Sequence, residues 1–456
     1  MEAYDLLIVG GGPAGLAAAA EGAAAGLAVG LVDERVTLGG QIYKQPGFEV
    51  RDHRALGAEH LRGRALIEAA SSARMMTRTL ALAIEGPAVV LATEGEPART
   101  VIARRLLLAA GAHDRPVAFP GWTLPGVLTA GGAQTLVKTQ RVLPGKRLLF
   151  AGSGPLALAF PAQLHGYGAT IAAVLEAGPP PRAGDVARMA AAARGNASLL
   201  RDAVRYRAQL LRARIPLRYR RIVVRAEGEG RVESVTHAAV DADWRVIAGT
   251  EETVAVDTLC LGYGFVPSVE LPRLAGCAFG FDEARGGPVV EVDEWMRTSV
   301  DGVLAAGDGT GVEGSHVAVD EGRLAALGAA LDLGAIASAD DAPIRARLTR
   351  KRAFRAALER MHRVGPGIFE LATADTIVCR CESVTRAAIE AAGTSDIHVM
   401  KAFTRAGMGL CQGRNCQRQV AALIGTTEYA TPRLPARPVA LGVIAREPDH
   451  DLGRFQ

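Results

Sequence analysis

Short apolar runs that stop at glycine-rich turns, each followed by an alanine-rich stretch of helical length, recur along this chain. Asp5-Leu6-Leu7-Ile8-Val9 stops at Gly10-Gly11-Gly12-Pro13-Ala14-Gly15. Residues 16–25 favour a helix that Gly26 can end, and 27–32 read as a second buried strand closing on Asp33-Glu34. This is the pattern of a βαβ unit with its glycine turn between strand and helix. It returns at Arg147-Leu148-Leu149-Phe150-Ala151, which leads into Gly152-Ser153-Gly154-Pro155-Leu156-Ala157, a helix, and a strand over 170–175 ending at Glu176. Further strands are expected at 88–92, 104–109, 253–261 and 302–306. An Arg-rich helical pattern over 335–363 reads as a connector, and 379–427 as a compact unit bearing glycine and cysteine. The segment Thr431-Pro432-Arg433-Leu434-Pro435-Ala436-Arg437-Pro438 cannot be a regular helix and should run extended, either disordered as termini commonly are or, the favoured reading, docked on a partner chain.

A chain of 456 residues, 49% of them apolar, can bury a large core and has room for two to four domains. Its 52 basic and 48 acidic residues nearly cancel, so charge makes no case for a nucleic-acid partner. No apolar run is long enough for a transmembrane segment, and the N-terminal stretch lacks the basic leader of a signal peptide. The expectation is a cytoplasmic protein, with any peripheral membrane association made through a complex. In that compartment grouped cysteines favour metal over disulfide.

The glycine turns carry the first chemistry. A strand–turn–helix of this kind brings a pyrophosphate against helix N-terminal amides. Gly10 allows the tight turn, Gly12 the approach of phosphate, and Gly15 the close packing of helix on strand, with Pro13 and Ala14 between them. The acid that accepts hydrogen bonds from the ribose is Asp33 or Glu34; spacing does not choose between them. In the second turn Gly152, Ser153, Gly154, Pro155 and Leu156 repeat the arrangement, and Ala157 replaces the third glycine. Glu176 suits an unphosphorylated ribose and repels a 2′-phosphate, which points to NAD or another adenine nucleotide rather than NADP.

Four of the six cysteines, Cys379, Cys381, Cys411 and Cys416, supply the second chemistry. Four thiolates are a full ligand set for one [2Fe–2S] cluster, two per iron. They could also bind one zinc, although neither pair has the two-residue gap common in zinc sites, or remain structural thiols. Gly407, Gly409 and Gly413 give the backbone room around a cluster. Arg380, Lys401, Arg405, Arg414 and Arg418 could offset its charge or simply form a solvated face.

With these motifs in order, the first 330 residues resemble the two-dinucleotide-domain flavoprotein disulfide-reductase superfamily. The landmarks are the GGGPAG turn, Gly39-Gly40-Gln41, Ala109-Ala110-Gly111-Ala112, the GSGPLA turn and Leu304-Ala305-Ala306-Gly307-Asp308. The resemblance implies FAD held by the first turn with Gly40, Gln41, Ala110, Gly111 and Gly307, and Asp308 near the flavin ribityl and pyrophosphate. It also implies a discontinuous flavin domain. The fold class is α/β: two Rossmann-like nucleotide-binding domains and a small C-terminal α-helical four-cysteine domain. The expected division is 1–117 and 265–334 for FAD, 118–264 for the second nucleotide, 335–372 connector, 373–428 cluster domain and 429–456 tail. One departure is plain. Cys260 and Cys277 are too far apart to be the redox pair of a disulfide reductase, and Cys260 sits in an apolar strand.

The cysteine segment resembles bacterioferritin-associated ferredoxin. Together with Phe119-Pro120-Gly121-Trp122-Thr123-Leu124-Pro125-Gly126-Val127 and Val378-Cys379-Arg380-Cys381-Glu382, it makes the whole chain similar to a family of alpha subunits. These belong to opine oxidases, hydroxyproline and proline dehydrogenase complexes, and bacterial hydrogen cyanide synthase. The resemblance implies a flavoprotein beta subunit that oxidises an amine or amino acid, in some members a small ferredoxin-like subunit, an FMN at a subunit interface, and ATP at the second nucleotide site. Two other readings stand beside it: a self-sufficient NADH-dependent reductase, and a nucleotide-stabilised scaffold with a metal-binding four-cysteine module. No catalytic residue is assigned. His113, next to Ala110-Gly111, is read as a structural histidine near the flavin.

Overall fold

The structure, a computed structural model, describes residues 2–48, 58–193 and 197–445. The first βαβ unit is β1 (Glu2–Val9), α1 (Pro13–Ala24) and β2 (Val29–Val32). It continues through α2 (Ala58–Ala69), β3 (Arg74–Met76), β4 (Thr79–Glu85), β5 (Ala88–Thr93) and β6 (Arg99–Leu108), and leaves by β7 (Ala112–Asp114). The second unit runs β8 (Val127–Thr129), α3 (Ala130–Gln140), β9 (Arg147–Gly152), α4 (Leu156–Gly166), β10 (Thr170–Glu176), α5 (Ala183–Ala192), α6 (Ala197–Arg212) and β11 (Leu217–Tyr219). A meander of β12 (Arg221–Glu227), β13 (Ser234–Ala239) and β14 (Glu252–Ala255) precedes its last strand, β15 (Thr258–Gly262).

The chain returns by β16 (Phe265–Pro267), which pairs antiparallel with β7. It adds α7 (Glu270–Leu274), β17 (Phe279–Asp282), β18 (Gly287–Val290), β19 (Val303–Ala305) and α8 (Ser315–Asp332) to the first unit. After α9 (Ala342–Met361) comes the cysteine unit: β20 (Ile377–Cys379), β21 (Val384–Thr385), α10 (Arg386–Ala391), α11 (Ile397–Thr404) and α12 (Gln417–Ile424). The last described element is the single turn α13 (Leu441–Ile444).

Parallel sheets covered on both faces need strands that are apolar throughout. Leu6, Leu7 and Ile8 of β1 are each 0% exposed, which is why that run carries no alternation. The first sheet has the order β3-β2-β1-β6-β5-β4, with β19 beside β6, and the second, all parallel, β11-β10-β9-β15-β8. Each glycine turn therefore leaves the C-terminal end of a central strand, where open α/β sheets bind ligands. The ribbon of β7 and β16 is the double crossing between the two units. The cysteine unit shares a core with the second one: Val378, Cys379, Met400 and Val420 pack with Phe119, Trp122 and Ile222. Trp122 Nε1 donates to the carbonyl of Ile377 at 2.5 Å.

Three expectations need correction. The strand expected over 253–261 is two strands in different sheets, broken at Val256-Asp257 because the Asp257 carboxylate turns to accept the amides of Lys146 and Arg147. The connector helix is only Ala342–Met361, starting where Pro343 fits the first turn. It is tied to α8 through Arg347–Asp320 and Arg352–Glu321. The tail packs on its own chain, which the expectation did not include. Ala436 N donates to Leu82 O, Arg437 pairs with Glu34, and Ala98 N donates to Val443 O.

Candidate functional site

Three of the four glycines of the first turn are crowded by the protein itself, Gly11 by the Leu38 side chain at 2.4 Å and Gly10 and Gly15 by backbone. A Cβ on Gly10 would lie 2.2 Å from Ala109 O, and one on Gly15 would lie 1.8 Å from Gly10 O. Gly12 is different. Its backbone is ordinary extended, and a Cβ there would meet nothing nearer than Gly40 Cα at 3.8 Å. The space before Gly12, at the N-terminus of α1, is thus left open by the fold and fits a pyrophosphate.

At the end of β2, Asp33 Oδ2 accepts from Gly11 N at 2.7 Å and Oδ1 from Arg35 N at 2.8 Å. At the end of β10, Glu176 Oε2 accepts from Gly154 N at 3.0 Å and Oε1 from Gly178 N at 2.9 Å. Each acid clamps its own glycine turn and the amide two residues on, and the longer glutamate reaches one residue further. Burial pushes the Asp33 carboxyl above its usual range. Glu34 instead turns outward to Arg437.

Gly40 lies against this turn, where its own Cβ would come 2.9 Å from Gly12 Cα. Gln41, Ala110, Gly111, Gly307 and Asp308 line the same cavity of 1790 Å³. Asp308 accepts from the amides of Glu313 and Gly314, while burial raises its carboxyl. Beneath it, Glu321 of α8, 1% exposed, accepts from Gly307 N at 2.8 Å and from Arg352 at 2.7 Å. Sequence reasoning missed Glu321, although an Asp-Glu pair in the otherwise apolar face of Val317–Leu327 was the available signal.

Burial pushes the Glu321 carboxyl up from 4.5 to about 7. The folded protein therefore binds this proton more tightly than the unfolded chain. Its contribution to stability is full below about pH 4.5 and is lost as pH rises through about 7. A Glu321→Gln protein is expected to lack this slope. Melting curves of the two proteins should diverge by up to roughly 3 kcal/mol across that window. Parallel curves would assign the slope elsewhere.

The second turn opens on the same cavity through Ser153, Gly154, Pro155 and Leu156, with Gly152 behind them at the end of β9. His362, at the end of α9, lies 3.7 Å from Glu176, so the connector covers the acid of this turn.

The four cysteines of the C-terminal unit come together as two pairs. The Cys379 and Cys416 thiols hydrogen-bond each other, as do those of Cys381 and Cys411. Cys379 and Cys416 are each 1% exposed, whereas Cys381 is exposed. The bond from Cys416, with amides of Gly407, Glu382 and Cys381, pulls the Cys379 thiol down to about 6, and the Cys416 thiol is pushed up in return. Gly407 N points at Cys379 Sγ from 3.4 Å. Two pairs of sulfurs ringed by amides fit a binuclear cluster with two thiolates per iron better than one tetrahedral zinc. Gly413 has φ +86°, and a Cβ on Gly409 would strike the Cys381 Cβ at 2.3 Å. Arg405 pairs with Glu382, while Arg414 and Arg418 turn inward to Glu270 and Glu283 of the first unit.

Comparison with known proteins agrees with this geometry. Residues 4–322 match the pyridine nucleotide-disulphide oxidoreductase family, and residues 377–426 match the BFD-like [2Fe-2S] binding domain. The chain belongs to that oxidoreductase family. Within it, the chain is 39% identical to hydrogen cyanide synthase subunit HcnB of Pseudomonas aeruginosa, over 90% of both chains. It is 34% identical to an opine oxidase subunit of Rhizobium meliloti, over 98% of this chain and 99% of that one. The crystal structure of L-proline dehydrogenase from P. horikoshii has the same fold, with a TM-score of 0.68 over 97% of this chain and 80% of that chain at 22% identity. The family and its appended domain make this an FAD-dependent oxidoreductase with a [2Fe–2S] electron-transfer domain. The redox pair of a disulfide reductase is absent among the described residues, since Cys260 is buried in β15 and Cys277 bonds Thr298. No helix among them is long and apolar enough to cross a membrane.

Proposed function

We propose that this chain is the electron-transfer subunit of a heteromeric amine or amino-acid dehydrogenase or oxidase of opine or proline type. In that assembly a partner flavoprotein subunit oxidises the C–N bond. The observation that carries this reading is that the likeness to subunits of hydrogen cyanide synthase and opine oxidase runs through the flavin part and the four-cysteine part alike.

In this reading Gly10, Gly12, Pro13, Ala14 and Gly15 hold the FAD pyrophosphate. Asp33 is the ribose acid, because it shares the turn-clamping geometry of Glu176 and Glu34 does not. Gly40, Gln41, Ala110, Gly111, Gly307 and Asp308 surround the rest of the flavin. Cys379, Cys381, Cys411 and Cys416 ligate the cluster. When bound, FAD supplies two-electron and the cluster one-electron chemistry. Gly152, Ser153, Gly154, Pro155, Leu156 and Glu176 take an unphosphorylated adenine nucleotide, NAD or ATP.

The test is to isolate the chain with its partner and screen amines and amino acids for dye reduction. A complex that oxidises none of them while the chain alone oxidises NADH would favour the self-sufficient reductase. A poor NADH oxidase is expected, because in this reading the partner subunit, and not NADH, is the electron source. Anaerobic stopped-flow should show slow or partial flavin bleaching, and rapid, complete bleaching at micromolar NADH would reverse the assignment.

A further inference from the structure

His113 lies on β7, directly after the Ala110-Gly111 motif at the flavin cavity and opposite Val266 on the ribbon that joins the two units. Its Nε2 lies 3.0 Å from the carbonyl oxygen of Arg414, a contact spanning 301 residues. A carbonyl only accepts, so Nε2 carries the proton and donates. Arg414 sits inside the ligand loop between Cys411 and Cys416. That loop is a tight turn: Arg414 N donates to Cys411 O, and Cys416 N donates to Gly413 O. Displacing the Arg414 carbonyl therefore displaces two cluster ligands together. The Arg414 side chain is held as well, with Nε 2.8 Å from the Glu270 carboxylate of α7 and a further hydrogen bond to Ala436 O. Its loop is thus gripped at the main chain by β7 and at the guanidinium by α7, both of them elements beside the flavin cavity.

We propose that His113 and Glu270 are positioning residues that clamp the Cys411–Cys416 loop to the flavin strand and so set the rate of electron exchange between flavin and cluster within this chain. The inference rests on the flavin-and-cluster reading above. A side chain acting one bond beyond the ligands commonly changes metal-site behaviour by a large factor, because it fixes where the ligands stand. Hydrogen bonding around the sulfurs also shifts the cluster potential.

The experiment uses the full chain, purified anaerobically, with a photo-excited deazaflavin radical as one-electron donor. The radical loses one electron to the bound flavin. That electron then leaves for the cluster, whose diferric pair becomes ferric–ferrous. His113→Leu and Glu270→Gln are expected to keep FAD, iron, acid-labile sulfide and melting temperature. Each should slow the flavin-to-cluster step by about ten- to a hundred-fold and shift the reduced-state EPR signal. His113→Gln, whose amide can still donate, should recover most of the rate. Wild-type rates and an unchanged EPR signal in both His113→Leu and Glu270→Gln would overturn the clamp. If His113→Leu does not load its cofactors, Glu270→Gln decides by the same criterion. A wild-type chain without iron and sulfide would instead overturn the flavin-and-cluster reading on which the clamp rests.

Discussion

A Cys411→Ala protein is expected to lose its brown absorbance and reduced-state EPR signal completely while keeping FAD. Cys411 belongs to the pair with Cys381, and the pair of Cys379 and Cys416 cannot complete the ligand set of two irons alone. Four thiolates gathered this closely would repel one another in the absence of a cation, and the hydrogen bond between Cys379 and Cys416 pulls the first thiol down and pushes the second up. The flavin turn should not notice the change, because Cys411 lies outside the cavity lining. Cys260→Ala is the control. That thiol is buried in β15, where burial alone raises it, and its loss should leave absorbance, EPR and FAD intact. Iron, zinc and sulfide analysis of anaerobically purified protein completes the test. One zinc with no iron or sulfide would contradict the two-pair geometry.

Gly12→Val should yield folded protein that retains little or no FAD. The nearest protein atom to a new Cβ is 3.8 Å away, so the substitution meets ligand space rather than the fold. The backbone at Gly12, φ −80° and ψ −171°, also suits a β-branched residue. Overpacking a fitted contact costs about 1–3 kcal/mol or more, roughly ten- to a hundred-fold in affinity. Gly15→Ala offers the contrast. Its Cβ would stand 1.8 Å from Gly10 O, so that protein should fail in folding before binding is in question. Flavin content and melting temperature measured together separate the two. Stoichiometric FAD in folded Gly12→Val would remove this turn from the flavin site.

How far the chain could be read in advance depended on how local the determinant is. The glycine turns were legible because their cause is local: a strand end, a helix start and a residue that must lack a side chain lie within a few positions. The same holds for the grouping of Cys379 with Cys381 and Cys411 with Cys416. The length of the connector was misjudged because residues 335–341, rich in alanine, favour a helix by composition, whereas the chain becomes helical only at Ala342. The strand at 253–261 was misjudged because one apolar run serves two sheets, and only the partners on either side, β13 and β9, divide it.

By itself the amino-acid sequence determined two glycine-rich strand–turn–helix units, the α/β class and a four-cysteine unit, since periodicity and steric demand at a turn need no distant partner. The choice of Asp33 over Glu34 as the turn-clamping acid, the burial of Glu321 under Gly307, and the pairing of Cys379 with Cys416 belong to the tertiary structure. So does the contact of His113 with Arg414. Each depends on which groups are brought together after the chain has crossed between units. A hydrogen bond spanning 301 residues leaves no spacing to read, and only the folded backbone decides that the two groups meet.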